Sequence, residues 1–334
     1  MKTFFATLFT FISYISLAQI NDIPTINNAL EKYSFIQEQI IVNNDTITYY
    51  LKNTKTKPSN LVVFIQGTDA NPIFSYKVDK GKITYYRWFG NDYKSLDSTY
   101  TYAIIPKPGM EGLYKDGEII IPKSYYEKNY LEYRIKQIDV SINHIIEKHL
   151  NNPKKIIVYG HSEGAAIGAA LATINKKITH LGFWSGNVLN NFYEFALFNR
   201  IESLKGLISD EEAHQNIMGI IEWYKSVVKN PNSTEIDHIG FTNKRWSSYE
   251  KAPLDYLTQL NIPIYALFGT EDESTPIETA YLLPIKFIEK RKENLTFEVC
   301  ISCDHSYKLK TDVGQKSHWN EQFKKFIEWT DKTK

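Results

Sequence analysis

Lys155-Ile156-Ile157-Val158-Tyr159-Gly160-His161-Ser162-Glu163-Gly164-Ala165-Ala166-Ile167-Gly168-Ala169-Ala170 is the stretch on which the reading of this chain rests. The apolar run Ile156 to Tyr159 predicts a strand over 155–159. The small residues that follow predict a helix over 164–175. Between them, Gly160 to Gly164 spell G-x-S-x-G, the pattern of a serine carried on a very sharp strand-to-helix turn. Such a turn stands the hydroxyl of Ser162 at the sheet edge. Side chains at 160 and 164 would collide with the neighbouring strand and helix. The helix that starts there aims backbone N–H groups at any negative charge that develops. The motif alone would also fit a glycine-rich turn needed only for tight packing. The strand before it and the small-residue helix after it favour a nucleophile.

Working outward, the chain alternates buried-type strands with helices. Gln39–Val42 and Thr46–Leu51 flank Asn43-Asn44-Asp45 and read as a hairpin. Leu61–Ile65 and Tyr100–Ile105 are continuous apolar runs, the second stopped by Pro106. Glu127–Leu150 has apolar residues at helical spacing. His180–Ser185, Ile262–Phe268 and Leu295–Ile301 predict further strands, and Asn320–Trp329 a closing helix. This order implies an α/β architecture, a mostly parallel sheet with helices on both faces. Residues 188–261 interrupt the alternation. They are largely helical in pattern and rich in aromatics, and a structureless loop of that length is rare, so an inserted helical cap is expected.

Lys+Arg 39 against Asp+Glu 38 gives a formal net charge of +1, which lends no support to nucleic-acid binding. With 43% hydrophobic and 23% charged residues the chain is outside the disordered, collagenous and low-complexity classes. Two cysteines cannot build a disulfide-rich scaffold. Cys300 and Cys303 form C-x-x-C. Asp304 follows where haem attachment needs His, and too few ligands lie nearby for zinc. A short-loop disulfide and two buried thiols both remain open. At the amino terminus, Lys2, the apolar run Phe4–Leu17 and Ser16-Leu17-Ala18 fit a secretory signal peptide over 1–18, shorter than a spanning helix. The expectation is a secreted or periplasmic chain starting near Gln19, with no stable membrane insertion once the signal is removed.

In motifs and strand order, over nearly all of the mature chain, the sequence resembles the α/β-hydrolase fold family. It is most similar to small serine esterases of the carboxylesterase and dienelactone-hydrolase type, with a cap. The resemblance implies a hydrolase core over 19–187 and 262–334, split by a cap at 188–261. Capped relatives with dehalogenase or epoxide-hydrolase chemistry carry Asp where this chain has Ser162. The family order is Ser, acid, His. After the strand 262–268, the spacing from Gly269 and the trailing Thr275-Pro276 resemble the family's acid loop and point to Asp272, with Glu271 and Glu273 as rivals. After the strand 295–301, Asp304-His305-Ser306-Tyr307 resembles its late D-H-S-[FY] loop and makes His305 the base. His161 is then a packing or hydrogen-bonding residue of the turn. The oxyanion donors implied are the backbone N–H groups of Glu163 and Thr68. Gln66-Gly67 stands where the family usually has His-Gly.

A serine at neutral pH needs a base to take its proton, and the implied triad supplies one. The function expected is an exported serine hydrolase that cleaves a small-molecule ester, or a thioester or amide, through an acyl-enzyme. It would need no metal or organic cofactor. The alternatives are a non-catalytic binding protein on the same fold and an acyltransferase.

Overall fold

In the computed structural model, which describes residues 23–90, 92–311 and 314–333, the apolar runs become the inner strands of one sheet. The expected signal segment lies outside the described residues. In chain order the strands are β1 Phe35–Val42, β2 Asp45–Lys52, β3 Asn60–Ile65, β4 Phe74–Asp79, β5 Lys82–Arg87, β6 Tyr100–Ile104, β7 Leu113–Lys115, β8 Lys155–His161, β9 His180–Trp184, β10 Ile264–Gly269, β11 Leu295–Cys300, β12 Lys308–Thr311 and β13 Gly314–Ser317. The α-helices are α1 Ile26–Tyr33, α2 Lys123–Lys128, α3 Leu131–His149, α4 Glu163–Ile174, α5 Asn191–Leu204, α6 Asp210–Lys229, α7 Asn243–Ser248, α8 Pro253–Leu257, α9 Ile277–Ala280, α10 Leu282–Glu289 and α11 Trp319–Lys332.

Eight strands form the main sheet in the order β1-β2-β6-β3-β8-β9-β10-β11. The six from β6 to β11 run parallel, β2 runs against them, and β1 pairs antiparallel with β2. Alternation along each strand explains why the runs are continuously apolar. In β3, Leu61, Val63 and Ile65 face the cluster packed under α3 and α4, while Val62 and Phe64 face the cluster under α1 and α11. Both faces are therefore covered, and each fully buried Leu, Ile or Val contributes about 1.5–3 kcal/mol.

Register decides what meets at the carboxyl edge. Ile65 pairs with Gly160, so the loop after β3 lies beside the turn after β8. Gly269 pairs with Cys300, so the loops after β10 and β11 lie side by side.

Residues 188–261 hold α5 to α8. Phe192 of α5, Val227 of α6 and Trp246 of α7 share a small core of their own. By contrast Leu257 and Leu260, in and just after α8, belong to the main core with α4. A second sheet, β5-β4-β7, flanks the first. Among the described residues no helix is long and apolar enough to cross a membrane.

Candidate active site

Ser162 closes β8 and opens α4 with φ 58° and ψ −127°, a conformation that side-chain-bearing residues rarely adopt. Neighbouring structure enforces it. The Ser162 N–H donates to the Trp184 carbonyl at 2.9 Å, and the Ser162 carbonyl accepts from Ala165 N–H at 2.9 Å. A Cβ at position 160 would lie 2.0 Å from the Gly164 carbonyl oxygen. One at 164 would lie 2.1 Å from that of Ile65. Both glycines are therefore obligatory for the turn.

The loop after β10 turns Asp272 inward and leaves Glu271 and Glu273 exposed. The Asp272 carboxylate accepts from the N–H groups of Ser274 and Thr275 at 2.8 Å each and from Thr275 Oγ1 at 2.7 Å. Its Oδ2 lies 2.8 Å from His305 Nδ1. Burial raises the Asp272 pKa, but His305 and the surrounding donors outweigh it and hold the carboxyl below its ordinary value. Asp272 therefore stays ionised and fixes the His305 tautomer with the proton on Nδ1.

Tyr307 anchors the His305 loop by donating to the Leu267 carbonyl at 3.0 Å. The cysteines left open above are joined as a Cys300–Cys303 disulfide, and the Cys303 carbonyl accepts from Glu271 N–H at 2.9 Å. Burial holds the His161 pKa down to about 3, so the ring is neutral. Its Nε2–H donates to the His305 carbonyl at 2.7 Å. Ser162 and His305 line one cavity, and no hydrogen bond joins their side chains in this state.

The loop after β3 sits directly against the serine. A Cβ on Gly67 would lie 3.0 Å from Ser162 Cβ and 3.5 Å from its Oγ. Thr68, on this loop, and Glu163, the first residue of α4, both line the cavity. At a helix start the N–H groups have no partner within the helix, so that of Glu163 can serve a ligand.

The side chain of Glu163 is buried and ion-paired with Arg245 of α7, and its Oε1 lies 3.9 Å from Lys107 Nζ. Burial raises its pKa, but Arg245 and Lys107 hold it below the ordinary carboxylate range. Burial pulls Lys107 down to about 7, against the pull of Glu163. The Arg245 guanidinium lies 4.2 Å from the ring centres of both Phe241 and Trp246. Sequence reasoning assigned nothing to Lys107, Arg245 or the Glu163 side chain. The available signals were a lysine set between Pro106 and Pro108 after an apolar strand, and an arginine inside an aromatic run.

The cavity measures about 540 Å³. Its wall combines Phe64 and Trp319 from the sheet side, Trp88 and Phe89 after β5, and Phe195, Phe241, Trp246 and Tyr249 from the inserted segment. The arrangement offers a hydroxyl, an oriented imidazole, two backbone loops and an aromatic enclosure.

Neither a family model nor a curated protein matches the chain. Solved structures do. Acylaminoacyl peptidase from Pyrococcus horikoshii superposes with a TM-score of 0.55 at 14% identity, covering 91% of this chain and 43% of that one. This chain therefore spans less than half of the peptidase's length. Est1E from Butyrivibrio proteoclasticus with ferulic acid bound gives 0.54 at 15% identity, covering 87% and 98%. A Klebsiella pneumoniae protein described as a dienelactone hydrolase gives 0.51 at 13% identity, covering 88% and 97%. The chain has the α/β-hydrolase fold.

Proposed function

We propose that the protein is a serine hydrolase that cleaves a small ester through an acyl-enzyme. One observation carries the reading: Ser162, held at φ 58° at the carboxyl edge of the sheet, shares a cavity with an imidazole oriented by a buried carboxylate.

Ser162 Oγ attacks the ester carbonyl carbon, and His305 Nε2 takes the hydroxyl proton. The oxyanion accepts from the N–H groups of Thr68 and Glu163. As the tetrahedral adduct collapses, the C–O bond to the alcohol breaks, and His305 returns the proton to the departing oxygen. Water then repeats the sequence on the acyl-enzyme. Asp272 holds the ring and stabilises the imidazolium. The Ser162–His305 hydrogen bond forms when substrate enters, as catalytic hydrogen bonds often tighten only in the complex. The aromatic wall supports an ester with an apolar or aromatic part. Ferulic acid in Est1E makes hydroxycinnamate esters a natural first panel. The amino-terminal pattern supports export, with the mature chain beginning near Gln19.

The test pairs a fluorophosphonate label with turnover of p-nitrophenyl esters. Wild type should be labelled on Ser162 and turn over at least one ester. Ser162→Ala should lose labelling and at least about 10⁴-fold in kcat, because the members of a triad act as a unit. Ester turnover by Ser162→Ala within tenfold of wild type overturns the reading. An unlabelled, inactive wild type favours the non-catalytic alternative.

A further inference from the structure

Lys107 is fully buried, and the chemistry above makes no use of it. It follows β6 in Pro106-Lys107-Pro108. Its Nζ donates to the Thr68 backbone carbonyl at 2.6 Å and stands 3.9 Å from Glu163 Oε1. Tyr125 Oη donates to the same Thr68 carbonyl at 3.1 Å. Thr68 lies on the loop after β3, and Glu163 opens α4 after the turn that follows β8. We propose that Lys107 is a positioning residue that ties these two segments together from behind and so holds both oxyanion donors in place. The inference rests on the assignment of Thr68 and Glu163 N–H as those donors.

First, burying an ammonium opposes folding in a way that an apolar side chain of similar length does not, so stability alone does not call for lysine here. Second, a lysine amine, charged or neutral, carries at least two donors on a flexible stem and can engage two segments that meet nowhere in sequence. Fixing the Thr68 carbonyl fixes the peptide plane that follows Thr68 and limits how its own N–H can turn. Donors held in advance accelerate the reaction because they need not reorganise as charge develops. Third, Lys107, Arg134 and Arg245 are all buried around one carboxylate, Glu163. Even with Lys107 uncharged, the two guanidiniums outnumber the carboxylate, so positive charge is in excess behind the turn, and in a dry interior it favours the negative oxygen of the transition state.

The experiment compares wild type, Lys107→Met, which keeps length without charge, and Lys107→Gln, which keeps a donor. For each, kcat and KM are measured on one p-nitrophenyl ester. Inhibition is measured with a trifluoromethyl ketone, which forms a tetrahedral adduct on Ser162, and with the carboxylic acid product. Lys107→Met should lose about 10–100-fold in kcat, somewhat less than deletion of a direct donor, with KM within about threefold. Ketone affinity should fall in proportion to kcat/KM while product affinity holds, and Lys107→Gln should recover part of both. If Lys107→Met does not fold, Lys107→Gln and Tyr125→Phe carry the same comparison. Full activity in every folded variant overturns the proposal. So does a parallel loss of kcat, product affinity and Tm, which marks a lysine that only supports the fold. A wild type whose ester turnover survives Ser162→Ala instead overturns the functional reading beneath it.

Discussion

Asp272 and its two acidic neighbours show how much one residue's orientation matters. All three are carboxylates in one turn, yet only Asp272 is buried, with donors on both oxygens and His305 Nδ1 at 2.8 Å. Asp272→Asn keeps the shape but stabilises the wrong imidazole tautomer, and should lower kcat up to about 10⁴-fold. Glu271→Gln and Glu273→Gln change exposed charges and should each cost less than about tenfold. Rates of the three variants on one ester check this, and a crippled Glu271→Gln beside an active Asp272→Asn would move the acid to Glu271. That Asp272 is the carboxylate facing His305 was suggested by the resemblance of the loop after β10 to the family's acid loop, a pattern carried by residues adjacent in sequence. The burial of Lys107 and the pairing of Arg245 with Glu163 were not legible. They require three segments distant in sequence to pack together, and nothing in the neighbourhood of position 107 or 245 encodes that meeting.

Strands were the elements most legible in sequence, because burial on both faces leaves a continuous apolar run, as in β3, β6 and β8. β4 and β5 escaped notice, since Phe74–Asp79 and Lys82–Arg87 mix exposed charges with aromatics on a sheet packed from one side. The single helix expected over 127–150 is two, α2 and α3, because Asn129 and Tyr130 leave helical geometry between them. Glu194 of α5 likewise gave no signal, though it clamps the inserted segment to the core. Its carboxylate accepts from Val188 and Leu189 N–H at 2.8 Å and from Thr279 Oγ1 at 3.1 Å. Burial outweighs these donors and raises its pKa to about 7. The folded state therefore keeps a proton that the unfolded chain releases near its ordinary value of 4.5. The stabilisation is complete below that value and is lost as pH rises through about 7. Glu194→Gln, which carries no titrating proton, should lose about 2–3 kcal/mol less than wild type between pH 4.5 and 7.5. Urea unfolding of both proteins at the two pH values measures the difference, and equal slopes would remove Glu194 from the linkage.

At the scale of the molecule, the cavity is a meeting place of three units that are separate in sequence. The loops at the carboxyl edge of the parallel sheet supply Ser162 and His305, the segment after β5 supplies Trp88 and Phe89, and residues 188–261 supply Phe195, Phe241 and Trp246. The sheet edge must stay rigid to hold the turn at Ser162, so variation in what the site accepts falls to the other two units. Trp88 suits a test of this division. It is 42% exposed and its main chain is held by a 3.1 Å hydrogen bond from its N–H to the Ile73 carbonyl, so trimming its side chain leaves the backbone anchored. Ring contact with an aromatic substrate is worth roughly 1 kcal/mol beyond area burial, about fivefold in rate. Trp88→Ala should therefore lower kcat/KM for a hydroxycinnamate ester about five- to tenfold, with acetate ester turnover within about twofold and Tm nearly unchanged. Paired measurements on the two esters separate the possibilities. An equal loss on both would assign Trp88 to the shape of the site and not to its selectivity. No loss on either would leave the aromatic wall contributed by residues 188–261 as the place where substrate is chosen, and Phe241→Ala would then carry the selective loss.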